Sequence, residues 1–88
     1  MVSDTLTVLN RAGIHTRPAS QIARTASSFT SDVLLIKDTM EINAKSIMGV
    51  ITLGATWKTE LTCSCSGPDE KEALSAMKAL FEARFEEK

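Results

Sequence analysis

Along these 88 residues the spacing of apolar side chains switches repeatedly between two and about 3.6, and that alternation is what most restricts the fold. Val2, Leu6 and Val8 fall to one side of Thr5 and Thr7, so residues 2–9 read as a strand with one buried face. From Thr16 to about Ser27, Ala19, Ile22, Ala23 and Ala26 recur at helical spacing, a stripe small enough to lie close to a sheet. Phe29 is placed to plug the end of that helix. Val33, Leu34, Leu35 and Ile36 form a run too short for a buried helix and read as a central strand. Met40, Ile42 and Ala44 alternate after an Asp38-Thr39 turn, which predicts a hairpin.

Ser46 suits the N-cap of a short helix through residues 47–51, and residues 53–58 read as its connector to the next strand. Leu61, Cys63 and Cys65 form the inward side of a last strand, with Glu60, Thr62 and Ser64 outward, and Gly67-Pro68 ends it. Asp69 is expected to cap a final helix in a capping-box pair with Glu72. Ala73, Leu74, Met77, Leu80, Phe81 and Phe85 give that helix a continuous apolar stripe. The order is strand, helix, strand, strand, short helix, strand, helix. Helices must cover a sheet face, so the fold class is α+β, a two-layer sandwich in a single domain over residues 1–88.

Composition excludes several functions. A net charge of −1 offers no electrostatic case for nucleic acid or an acidic membrane surface. No apolar run approaches the roughly 20 residues of a membrane span. The first residues lack the basic and apolar regions of a signal peptide, so a cytoplasmic protein is expected. Cys63 and Cys65, two apart on a strand, lie roughly 6.6 Å apart along it, whereas a disulfide brings Cβ atoms to about 3.8 Å. With one distant histidine they fall short of a four-ligand zinc site, so they read as apolar filler and no metal is expected. Paired carboxylates, a Gly-rich nucleotide loop and a catalytic triad are all missing from the pattern, so the chain is not expected to turn over a small substrate by itself.

The chemistry concentrates in Gly13-Ile14-His15-Thr16-Arg17-Pro18-Ala19, which holds the single histidine. Pro18 is tolerated early in a helix and places the helix start near residues 15–17. The unpaired N–H groups of such an end attract anions, and Arg17 adds a planar fork of donors suited to phosphate. An unprotonated imidazole is a nucleophile. A lone histidine ahead of a helix is commonly a surface or capping residue; a phosphoryl group landing on His15 is the sharper alternative.

This stretch resembles the active-site signature Gly-Leu-His-Ala/Thr-Arg-Pro-Ala of HPr, the histidine-containing phosphocarrier family of the bacterial sugar phosphotransferase system. A second family stretch, Lys-Ser-Ile-Met-Gly-Val, stands at residues 45–50, and the resemblance spans essentially the whole chain. It implies an open-faced sandwich: a four-stranded antiparallel sheet of order 1-4-2-3 with three helices on one face. It implies that His15 accepts phosphate at Nδ1 from enzyme I and passes it to enzyme IIA domains; the helix-end N–H groups of Thr16 and Arg17 and the Arg17 guanidinium are expected to bind the phosphate. It further implies phosphorylation of Ser46 by an ATP-dependent serine kinase, and a partner face of Gln21, Arg24, Ile47, Met48 and Ile51 for these proteins and a transcriptional regulator. No cofactor is implied, and a monomer is expected.

Four positions depart from the family pattern. Ala12 stands where relatives often carry a polar residue, Ile51 where some have methionine, and Lys58 near a common glycine, with Trp57 beside it. Trp57 is expected to be partly exposed. The rival readings are a nitrogen-branch carrier with other partners, a mainly regulatory relative acting through Ser46, and a small RNA-binding module. Regulatory relatives lack the histidine, residues 45–50 favour the sugar branch, and the RNA reading lacks a basic face and exposed aromatics.

Overall fold

The computed structural model describes residues 1–86. The chain runs β1 (Val2–Thr7), α1 (Thr16–Ser27), β2 (Asp32–Lys37), β3 (Met40–Asn43), α2 (Ile47–Leu53), β4 (Glu60–Ser66) and α3 (Glu70–Glu82), ending in a 3-10 turn (Arg84–Glu86). All three strand pairings are antiparallel, and the sheet order is β1-β4-β2-β3, as the resemblance implies.

Register explains which face is covered. Leu6 stands opposite Leu61, Cys63 opposite Leu35, and Cys65 between Val2 and Val33. These residues point to one side with Ile42, and apart from the half-covered Val2 and Ile42 they are buried. The helices lie there, contributing Ile22 and Ala26 from α1, Val50 and Leu53 from α2, and Met77 and Phe81 from α3. The other face carries Ser3, Thr5, Glu60, Glu41 and Asn43, all exposed. Each buried methylene contributes about 0.8 kcal/mol, so the covered face supplies most of the folding drive.

The two cysteines are free, fully buried and 4.0 Å apart at Sγ. Burial pushes both thiols upward in pKa, which keeps them protonated and apolar in character.

The structure departs from expectation in five places, most of them for a tertiary reason. Strand β1 stops at Thr7, because Val8 exchanges backbone hydrogen bonds with Thr59 and Lys58 in the connector, and Leu9 turns out to solvent. Helix α2 runs on through Leu53 before Gly54, at φ 67, ends it. Ser64 does lie on the outer face as expected, yet it is nearly covered there between Ser3 and Leu34 of the neighbouring strands. The stripe of α3 is not continuous to Phe85. The helix stops at Glu82, and left-handed backbone at Arg84 and Phe85 folds the Phe85 ring back onto Phe81, edge to face at 4.9 Å.

The fifth correction concerns the expected capping box. Asp69 is the N-cap residue of α3 by position, yet its carboxylate accepts nothing from its own helix. It accepts instead from the N–H groups of Thr30 and Ser31, at 2.9 and 2.8 Å, and from the Ser31 hydroxyl. A carboxylate does reach back across the α3 entry, but it belongs to Glu70, which accepts from Gly67 N–H at 3.1 Å. Glu72 remains exposed.

Candidate functional site

The turn that delivers His15 is held from within and from below. Asn10, buried, donates from Nδ2 to the Gly13 carbonyl at 2.7 Å, and Gly13 N–H donates to the Asn10 carbonyl at 3.1 Å. Gly13 adopts φ 74, and a Cβ there would lie 3.0 Å from the Ala55 carbonyl oxygen and 3.1 Å from Thr56 Cα. Only glycine accepts both the left-handed backbone and that approach. Ile14, buried, then donates its N–H to the Ala55 carbonyl at 3.0 Å. The loop bearing His15 therefore rests on the segment that leaves α2.

His15 is the N-cap of α1, with extended backbone (φ −117, ψ −160), and its carbonyl accepts from Ala19 N–H at 2.9 Å. Its side chain makes no capping hydrogen bond and is exposed. The N–H groups of Thr16 and Arg17 have no partner among the described residues, and Pro18, buried at the third helical position, has none to offer. No acidic residue stands in that first turn to neutralise the positive helix end. An uncommitted imidazole thus sits at a helix end with free donors, with the exposed Arg17 two residues on. Such a group can take an electrophile and stabilise negative charge arriving on it.

Ser46 is also where a cap was expected. Its Oγ accepts from Gly49 N–H at 3.1 Å and stays exposed. Lys45 reaches back to the Phe29 carbonyl at 2.9 Å, tying the start of α2 to the end of α1. Phe29 itself is half-buried against the core. At the far end of α2, Lys37 Nζ lies 3.4 Å from the carbonyls of both Leu53 and Gly54, where a cation complements the negative helix terminus. Seven residues at 1.5 Å each make α2 about 10 Å long, so Ser46 stands a helix length from the segment supporting His15.

Between them α2 presents an apolar strip to solvent: Ile47 is 42%, Met48 71% and Ile51 36% exposed. Helix α1 packs beside α2 and turns Arg24 to solvent, with Gln21 half-covered. The expected site residues are thereby brought to the neighbouring surfaces of two adjoining helices and one loop.

One cluster was not anticipated. The Arg11 guanidinium carbon lies 5.1 Å, and Lys58 Nζ 4.5 Å, from the centre of the Trp57 ring, which is 43% exposed. Lys58 adopts φ 70, a backbone that costs a residue with a side chain roughly 1–2 kcal/mol and explains why glycine suits this position. A related signal was legible but overlooked. Residues 5–31 and 42–59, which supply α1, α2 and both flanking loops, contain Arg11, Arg17, Arg24, Lys45 and Lys58 and no Asp or Glu. The near-zero net charge conceals a strongly segregated one, and with Trp57 43% exposed the expectation of neither a basic face nor an exposed aromatic is corrected.

Comparison with known proteins is consistent across sequence and structure. A family model described as the PTS HPr component phosphorylation site matches residues 2–83. The phosphocarrier protein HPr of Treponema pallidum (strain Nichols) is 52% identical over 87 residues, covering 99% of either chain. The crystal structure of HPr-C-His from Thermoanaerobacter tengcongensis superposes with a TM-score of 0.96 at 40% identity, covering 100% of this chain and 99% of that one. The Bacillus subtilis catabolite repression protein Crh, solved as a swapped dimer, superposes with a TM-score of 0.76 at 40% identity, covering 96% and 97%.

Proposed function

The chain belongs to the HPr family and is a phosphocarrier of the phosphotransferase system rather than an enzyme; from that premise we propose that His15 carries the phosphoryl group, taking it from enzyme I and handing it to enzyme IIA domains. The observation that supports this reading is the exposed, unbonded His15 imidazole at the N-terminus of α1, beside the free N–H groups of Thr16 and Arg17.

The lone pair on Nδ1 attacks phosphorus, a P–N bond forms, and the bond to the donor's own carrier group breaks. The phosphoryl group brings roughly −1.5 to −2 charge near neutral pH. The two N–H groups, the helix end and the Arg17 guanidinium offset it, the dipole contributing about 0.3–1 kcal/mol. Modest stabilisation suits a carrier, since a deep well would prevent the second transfer. The reverse geometry serves the acceptor: the same exposed nitrogen becomes the leaving group.

Ser46 is the second site in this reading, phosphorylated by an ATP-dependent serine kinase and read by a transcriptional regulator. Its support is an exposed hydroxyl beside the Ile47, Met48 and Ile51 strip, together with the likeness to a protein named for catabolite repression. A helix length of separation means that phosphate on Ser46 acts on docking across α2 rather than on the His15 reaction itself. Gln21 and Arg24 complete the docking surface from α1. All of these residues come from one chain, so the carrier is proposed to work as a monomer, in the cytoplasm with its donor. The mainly regulatory alternative is disfavoured by His15 itself, and the nitrogen-branch alternative by residues 45–50.

The test is incubation with enzyme I and phosphoenolpyruvate, followed by intact mass and acid lability. An acid-labile adduct on the wild type that disappears in His15→Ala is expected; an undiminished adduct on the alanine variant refutes the assignment.

A further inference from the structure

Arg11, Trp57 and Lys58 are not part of the machinery described above, yet they sit directly against it. Arg11 belongs to the turn that delivers His15, and Trp57 and Lys58 follow the Ala55 and Thr56 backbone on which Gly13 rests. The two loops run side by side, with Val8 and Lys58 joined at 2.8 Å. Both cations are exposed and held over one ring, so their positions are more restricted than those of free surface side chains. Lys58 holds its place despite left-handed backbone, a strain that structures retain where the surroundings or a function require it.

We propose that Arg11, Trp57 and Lys58 extend the docking face past the His15 loop and receive a carboxylate-bearing surface of the phosphoryl-donor protein. This rests on the carrier reading and goes beyond it by assigning residues outside the two motifs. Charge complementarity selects the kind of partner, because residues 5–31 and 42–59 carry five cations and no carboxylate. Charge also selects the donor over the acceptor. A phosphoryl group on His15 brings about −1.5 to −2, lowering the formal charge of these segments from five positive toward roughly three. The unphosphorylated carrier, which is the form the donor must bind, therefore presents the stronger field. Transfer itself weakens the attraction and favours release of the loaded carrier. Trp57 supplies an amphipathic surface between the two charges, of the kind enriched in protein interfaces.

The experiment measures phosphorylation of the full chain by its cognate enzyme I with phosphoenolpyruvate, at low and high salt. The Arg11→Gln, Lys58→Gly double variant is expected to raise the KM for the carrier roughly three- to tenfold at low salt, as loss of two rim charges implies, with kcat unchanged. The gap should close at high salt. Lys58→Arg should restore the Lys58 share of the effect, whereas Lys58→Glu should worsen KM beyond Lys58→Gly. Thermal unfolding of Lys58→Gly should show equal or greater stability, because glycine relieves the left-handed strain; a docking defect in a fully stable variant separates recognition from folding. An unchanged KM in the double variant at low salt overturns the proposal and leaves the carrier reading intact. A raised KM that persists at high salt also overturns it, since charge is then not the basis of the contact. A wild type that takes no phosphate on His15 brings down the carrier reading and this inference with it.

Discussion

Ser31 and Asp69, 38 residues apart in the chain, are bonded three ways: the Asp69 carboxylate accepts from the Ser31 N–H and hydroxyl, and the Ser31 Oγ accepts from Asp69 N–H at 3.1 Å. This clamp fixes the start of β2 against the entry to α3. Gly67 lies against it so closely that a Cβ would stand 2.6 Å from Ser31 Oγ. The Ser31 hydroxyl, followed by the Thr30 N–H, holds the Asp69 carboxyl down at a pKa of about 2, from an ordinary 3.8.

A pKa lowered on folding contributes stability that is fully present above the unfolded value and is lost as pH falls toward the folded one. The clamp should therefore hold above about pH 4 and weaken as pH falls from about 4 toward 2. Melting temperatures of the wild type and Asp69→Ala across that range should converge as the pH drops, with the variant less stable at neutral pH. Parallel curves would show that Asp69 is not the group responsible.

Gly13→Ala should destabilise the fold by about 1–3 kcal/mol, the cost of holding a side-chain-bearing residue in sparsely populated backbone. The added methyl would also press on the Ala55 carbonyl and lift the loop that carries His15. Denaturant unfolding and the rate of phosphorylation should both suffer. Intact stability would mean the loop moves off Ala55 at little cost.

Arg17→Ala separates chemistry from folding. Arg17 is exposed, and no hydrogen bond or ion pair ties its side chain to the other described residues. Its loss should leave the melting temperature nearly unchanged and slow transfer through His15 on the order of tenfold or more, as expected when a charge-stabilising donor disappears. Unchanged transfer with a lower melting temperature would reverse the assignment.

Ser46 tests two roles on one atom. Removing the cap in Ser46→Ala should cost about 0.5–2 kcal/mol and leave transfer unaltered. Ser46→Asp should keep or raise stability, because a carboxylate can cap Gly49 N–H and interacts favourably with the helix end. It should nonetheless slow phosphorylation by enzyme I, since the charge sits beside Ile47 and Met48 on the docking surface. Better folding with poorer transfer marks a regulatory site, and undisturbed transfer at physiological salt reduces Ser46 to a cap.

What could be read in advance was whatever is settled within a few residues. Pro18 and the spacing of Ala19, Ile22, Ala23 and Ala26 sufficed for α1, whose limits fall at Thr16 and Ser27 as expected. Ser46 capping α2 and the Asp38-Thr39 turn were equally legible, because a cap or turn bonds to its own chain neighbours. Alternation assigned Leu61, Cys63 and Cys65 to the core face of β4, and register bears that out. Strand order needed the family likeness, since periodicity shows which face of a strand is buried and never which strand lies beside it.

Tertiary structure alone decided the rest. Asp69 had an adequate local use at the head of α3, and Ser31 claimed it only because the sheet brings the start of β2 there. Gly13 requires its missing Cβ on account of Ala55, 42 positions further along. Phe85 fits the α3 stripe by spacing, yet packing against Phe81 is reached by breaking the helix rather than extending it. Arg11 meets Trp57 across two loops that β4 draws together. Local hydrogen bonds and hydrophobic period act over three or four residues and are written in adjacent letters. Contacts between distant segments depend on which strands pair, so the partners of Asp69, Gly13 and Trp57 existed only once the sheet was built.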